Sequence, residues 1–223
     1  YKEQRSIAIG LYGAWGDGKT SLLNLVLGEI ARAAEKSEGN SPIVLRFNPW
    51  NFSTQEQLIS QFFKQLSIKL KMSNLGSTAQ GIGEKLDAFS KVLFPIKFIP
   101  GASGVVDAVK DAVEHASDAL KTAGEAAEKD LEATKQAIDS ELAKLDRKIV
   151  ITIDDIDRLT DIEIRQVFQL VKSLGDFTNT IYFLLFDRQV VANALDAVQR
   201  GSGFAYLEKI IQVPFELPSP SKG

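Results

Sequence analysis

The chain has no cysteine, one histidine and one methionine in 223 residues. Without cysteine there is no disulfide framework and no thiolate metal site. The lone histidine, His115, stands in an alanine-rich helical stretch, where a surface residue is expected rather than a ligand or a base. No apolar run reaches the ~18 residues that a membrane span requires, and no signal peptide is present, so a cytoplasmic protein is expected. Positive charge is not in excess either: 26 Lys and Arg stand against 29 Asp and Glu, for a net charge of −3. Nothing general draws such a chain to nucleic acid, and binding there would need a local patch. An apolar fraction of 44% and a charged fraction of 25% fit a globular domain with one substantial core. The chain opens on Tyr1 and closes on Pro218-Ser219-Pro220-Ser221-Lys222-Gly223. It therefore reads as a piece of a longer protein, with 219–223 as a linker or fragment end.

What is present is concentrated near the start. Gly13-Ala14-Trp15-Gly16-Asp17-Gly18-Lys19-Thr20 fits the phosphate-binding pattern G-x-x-x-x-G-K-[ST] at every fixed position. The apolar run Ile7–Tyr12 before it predicts a buried strand, and Ser21–Ile30 after it predicts a helix. The chemistry explains the residue types. Glycines let the backbone fold around a multiply charged anion with its N–H groups turned inward. The helix beginning near Gly18 adds the positive end of its dipole. Lys19 is expected to place an ammonium by the β- and γ-phosphates, and the Thr20 hydroxyl to ligate Mg²⁺. Ser21 is expected beside the α- and β-phosphates.

Ile43–Phe47 predicts a second strand, stopped by Asn48-Pro49. A helix over about 54–72 follows, capped by Ser53 or Thr54, with Leu58, Ile59, Phe62, Phe63, Leu66 and Leu70 as its core face. Trp50 is either a core plug or a wall near the nucleotide, and the core is the commoner place. Residues 73–147 are expected to form a helical insertion. In it, Val92–Ile99 is short and apolar, a packing or partner segment. From Val109 to Leu145 apolar residues recur at steps of three or four in one thin stripe, with Gly124 as a break.

Lys148–Ile153 is a β-branched run ending in Asp154-Asp155. Carboxylates at the C-terminal end of a buried parallel strand emerge where open α/β sheets bind ligands. Asp154 is the candidate to hold Mg²⁺ opposite Thr20, and Asp155 to orient or deprotonate the attacking water. Arg158 can pair with Asp157 or Asp155, or reach a neighbouring subunit's nucleotide as an arginine finger. A helix from about Thr160 to Leu174, stopped by Gly175, leads to a strand over 180–186. At the tip of that strand, Asp187 or Arg188 is a candidate γ-phosphate sensor. A helix over about 189–199 precedes a last strand, Ile210–Phe215.

In combination these segments resemble the KAP family of P-loop NTPases. The carriers are the Gly13–Thr20 loop with its Trp15, Arg46-Phe47-Asn48-Pro49-Trp50, Ile153–Leu159, Phe186-Asp187-Arg188 and Tyr206–Phe215. The resemblance implies an α/β fold of the ASCE type: a mostly parallel sheet flanked by helices, with an extra strand between the Walker A and Walker B strands. It implies ATP and Mg²⁺. The core halves then fall at 1–72 and 148–218, with the insertion between the second strand and Walker B. In many members that insertion holds membrane spans, which 73–147 lacks. Some bacterial relatives act in phage exclusion, which makes defence a context. Most ATPases of this class carry Glu where Asp155 stands. The absence of an N-K-x-D motif also leaves nothing to select guanine.

The function expected is ATP hydrolysis to ADP and phosphate, coupled to conformational change or assembly of a larger protein. The alternative is a slow or non-hydrolysing ATP-dependent switch or scaffold that acts through self-association or other domains of a longer chain. A kinase-like transfer is less favoured, because the paired acids suit water as acceptor.

Overall fold

The computed structural model describes residues 6–36, 41–52, 55–73, 81–82, 84–86, 132–174, 177–198 and 201–218. The chain divides into two compact units, one of residues 1–53 with 145–223 and one of residues 54–144.

The first unit is built on a five-stranded sheet in the order β2-β3-β4-β1-β5. The strands are β1 (Ile7–Tyr12), β2 (Ile43–Phe47), β3 (Ile149–Ile153), β4 (Thr180–Phe186) and β5 (Val213–Glu216). Every pairing is parallel. β4 therefore lies between β1 and β3, the extra strand that the family resemblance implies. β3 is buried along its whole length, as a near-continuous Ile/Val run in a sheet covered on both faces should be.

Helix α1 (Lys19–Lys36) covers one face. Leu23 and Leu27 from it pack with Leu11, Val150 and Leu185 of β1, β3 and β4. On the other face Phe186 of β4 meets Tyr12 of β1 at 5.0 Å between ring centroids. It also meets Phe168 edge-on at 5.4 Å. Phe168 belongs to α3 (Asp161–Leu174), whose Ile164, Val167, Phe168, Leu170 and Val171 are all buried. The apolar periodicity of that helix is thus its core face. Burial of each such side chain contributes roughly 1.5–3 kcal/mol.

Helices α4 (Arg188–Val198) and α5 (Gly203–Ile210) complete the unit. The last strand begins at Val213, three residues later than the sequence suggests. The reason is the Ser202 cap, whose side chain accepts from the Ala205 amide. It starts a helix that runs through Ile210 before the chain can extend. Gln212 then anchors the approach to β5: its Oε1 accepts from the Ala8 amide at 2.6 Å.

The second unit contains α2 (Gln55–Lys71) and a helical run at 132–142. Leu58, Ile59, Phe62, Phe63, Leu66 and Leu70 of α2 are buried, as are Ile138 and Leu142. Glu141 bonds Lys85 and Lys144, and these two bonds hold its carboxyl below its ordinary range. The Ser53 or Thr54 cap, Val92–Ile99, His115, the stripe from Val109 to Leu131, Gly175 and the 219–223 linker lie outside the described residues. Among the described residues no helix is long and apolar enough to cross a membrane.

Gly203 shows how closely α4 and α5 approach. A Cβ placed there would stand 2.1 Å from the Ala192 carbonyl oxygen and 2.8 Å from its carbon. Backbone cannot yield as a side-chain tip can. Gly203→Ala is expected to destabilise the fold by about 1–3 kcal/mol, read as a lower denaturation midpoint with an unchanged m-value.

Candidate nucleotide site

The loop after β1 follows from two backbone angles. Gly16 and Gly18 have φ of 91° and 88°, a region that side chains disfavour, so glycine is required for the tight turn. The first turn of α1 carries no acidic residue of its own, so the positive end of its dipole faces the loop. Asp17 Oδ2 accepts from the Ala14 amide at 2.7 Å and braces the loop. Lys19 is buried, with 8% of its surface exposed. Its Nζ donates to the Gly13 and Ala14 carbonyls at 2.8 and 3.0 Å. A buried ammonium needs such partners. Thr20 and Ser21 are exposed.

The end of β3 supplies the opposing wall. Asp154 Oδ2 accepts from the Thr20 hydroxyl at 2.8 Å, and its Oδ1 accepts from the Asp155 amide at 2.9 Å. Asp155 itself is left-handed, with φ 59° and ψ 31°. That conformation is uncommon for a residue with a Cβ, though tolerated by Asp. It bends the chain sharply, so the two neighbouring carboxylates have different partners. Asp155 Oδ2 accepts from Asn48 Nδ2 at 3.0 Å, and its Oδ1 pairs with Arg158 Nε at 2.9 Å. Both side chains of that ion pair are substantially exposed, 41% for Arg158 and 27% for Asp155. Such a pair is worth roughly 0.2–1 kcal/mol. A hydrogen bond to a charged group, of the kind that Asn48 makes, is worth roughly 1.5–3 kcal/mol.

Of the sequence candidates, Lys19, Thr20, Asp154 and Asp155 converge on one edge of the sheet. Arg158 pairs with Asp155 and lies 5.9 Å from the Trp15 ring centroid. Trp15 is 80% exposed on the loop. The other candidates are otherwise engaged. Asp187 caps α4, its Oδ1 accepting from the Gln189 and Val190 amides. The Arg188 guanidinium is held between the Tyr12 and Phe204 rings, at 5.5 and 5.2 Å from their centroids. Trp50 is 55% exposed and not a core plug. Pro49 takes the buried position in the short Pro49–Asn51 turn and leaves Trp50 outside.

Among the described residues no group of three or more His, Cys, Asp or Glu could hold a metal. A Thr hydroxyl and one carboxylate 2.8 Å apart instead fit Mg²⁺. It takes few protein oxygens and completes its octahedron with water and substrate phosphates.

Residues 2–222 match the KAP family P-loop domain. The chain is similar to the phage T7 exclusion protein of Escherichia coli (strain K12), at 31% identity over 97% of this chain. It spans only 31% of that relative's length. Among solved structures it is similar to the Aeropyrum pernix ORC1 protein in complex with DNA. The TM-score is 0.45 at 14% identity, over 97% of this chain and 40% of that one. The Aeropyrum pernix ORC2 protein in its ADP form gives 0.42 and 14%, over 96% and 43%.

Tyr12 borders this edge, and burial pushes its hydroxyl above the ordinary 10.0, against the opposing charge of Arg188. A raised tyrosine pKa stabilises the fold at pH values below the unfolded value. That contribution is lost as pH rises through the folded one. Stability is therefore expected to fall above pH ~10 and to fall less in Tyr12→Phe, as read by denaturant titrations at several pH values.

Proposed function

The chain belongs to the KAP family of P-loop domains, a membership that implies nucleotide binding, and from that premise we propose that it binds ATP with Mg²⁺ and hydrolyses it to ADP and phosphate. The 2.8 Å contact between Thr20 and Asp154 carries this reading. It brings a hydroxyl from the phosphate loop and a carboxylate from β3 to one point.

In the proposed reaction the loop amides and Lys19 bind the phosphates, Lys19 exchanging its Gly13 and Ala14 carbonyls for phosphate oxygens. Ser21 lies beside the α- and β-phosphates. Thr20 and Asp154 would hold Mg²⁺, which when bound would supply positive charge beside the phosphates. Asp155 orients the water that attacks the γ-phosphorus; the bond from that phosphorus to the bridging oxygen breaks, ADP leaves with the oxygen, and the water's proton goes to the released phosphate. An arginine finger is worth ~10³–10⁵ in rate. With Arg158 paired to Asp155 in this chain, slow turnover by an isolated copy is expected. The cycle drives conformational change or assembly of a longer cytoplasmic protein, through self-association or its other domains. The name of the phage T7 exclusion protein supports phage defence as the setting.

One observation favours a second reading, an ATP-controlled switch that seldom turns over. Asp155 has a shorter side chain than Glu, and both its oxygens are already engaged.

Titration calorimetry and phosphate release over a range of protein concentrations separate the two. In Lys19→Ala, affinity is expected to fall by about 10–100-fold, the worth of one strong charged bond. A rate per molecule that climbs with concentration supports an ATPase completed by a second copy. Binding without release at any concentration favours the switch. Equal affinity in wild type and Lys19→Ala overturns the site.

A further inference from the structure

Resting on the ATPase reading, we propose that Asn48 is a positioning residue that sets the direction of the Asp155 carboxylate through a hydrogen bond whose donor cannot turn away. Asn48 follows β2, the strand hydrogen-bonded to β3, so it leaves the sheet at the same edge as Asp155. Its own orientation is fixed from behind. The Oδ1 atom accepts from the Trp50 amide at 3.0 Å, and an amide nitrogen can only donate. The side chain therefore has to present Nδ2 to Asp155, which it does at 3.0 Å. Pro49, buried in the next position, has a ring-locked φ that holds this turn.

Asp155 needs such a support. It sits in left-handed backbone, its side chain is partly exposed, and its second partner, Arg158, is an exposed cation on a long flexible stem. Of the two contacts, similar in length at 3.0 and 2.9 Å, the one from Asn48 comes from a short side chain anchored at its other end, and the one from Arg158 from a long exposed one. A carboxylate oxygen has two lone pairs, so the bond from Asn48 leaves Oδ2 free to accept from a water. Asn48 thus acts through Asp155 and does not touch the reacting atoms.

The test compares kcat, KM and nucleotide affinity of the whole protein with those of Asn48→Asp, Asn48→Ala, Asp155→Asn and the double variant Asn48→Asp/Asp155→Asn. Asn48→Asp keeps the size of the residue and the acceptor for the Trp50 amide. At the end facing Asp155 it replaces a donor by an oxygen and adds a negative charge, and Asn48→Ala, which removes the donor without adding charge, controls for that. Expected are a kcat lowered by about tenfold or more in both Asn48 variants and a KM and affinity within about twofold of wild type. The double variant is expected to be no slower than Asp155→Asn alone. Asn48→Asp at the wild-type rate, or an Asn48→Asp penalty that persists in full in the Asp155→Asn background, overturns the inference. Wild-type turnover in Asp155→Asn instead overturns the role of Asp155 itself, a separate failure. If Asn48→Ala does not fold, the isosteric Asn48→Asp and the double variant decide alone.

Discussion

A single contact constrains the first unit: Thr20 Oγ1 to Asp154 Oδ2, 2.8 Å apart across 134 residues of sequence. For it to form, the loop after β1 and the tip of β3 have to reach the same edge, although β4 lies between those strands. A wholly parallel sheet satisfies this, because every strand then ends on the same side. The apolar composition of β1, β3 and β4 follows from that demand. Strands in the middle of such a sheet are covered on both faces, and the carboxylates stand where the chain leaves it.

The chemistry at the edge is that of charge held in readiness. A buried ammonium is expensive unless bonded, and Lys19 meets the requirement with two carbonyls of its own loop. The first turn of the helix beside it carries no acidic side chain of its own. Opposite, two adjacent carboxylates are kept apart in function by one left-handed residue. Asp154 turns to the phosphate loop, and Asp155 is bonded by Asn48 and Arg158. The proposed hydrolysis assigns the cation to the first of these acids and the attacking water to the second.

Much of this was legible in the residues. The strand–loop–helix context of Gly13–Thr20, the β-branched run into Asp154-Asp155 and the apolar face of α3 each follow from local pattern, and local pattern is what a sequence displays. β5 starts at Val213 and not at Ile210, although Ile210 and Ile211 are β-prone residues. A helix cap eight residues upstream of Ile210, at Ser202, decides their state. For Trp50 the sequence leaves a core plug and a wall near the nucleotide both open, and the core is only the commoner place; in the fold its neighbour Pro49 occupies the buried position. The partners of Asp155 were harder to see. Arg158 had several acids within reach, and Asn48 is 107 residues away, joined to Asp155 only by strand order. The one available signal was that Asn48 ends a predicted strand at the same edge. Asp187 and Arg188 stand at the right strand tip for a sensor. In the fold, one caps a helix and the other is clamped between aromatic rings.

The most direct test of the central claim is the affinity for ATP measured with Mg²⁺ and with chelator, in wild type and in Asp154→Asn. If Thr20 and Asp154 jointly seat the cation, wild type binds ATP more tightly with Mg²⁺, and Asp154→Asn loses that difference while keeping the chelator-state affinity. A wild type indifferent to Mg²⁺, or an Asp154→Asn variant that retains the full Mg²⁺ dependence, would contradict the account.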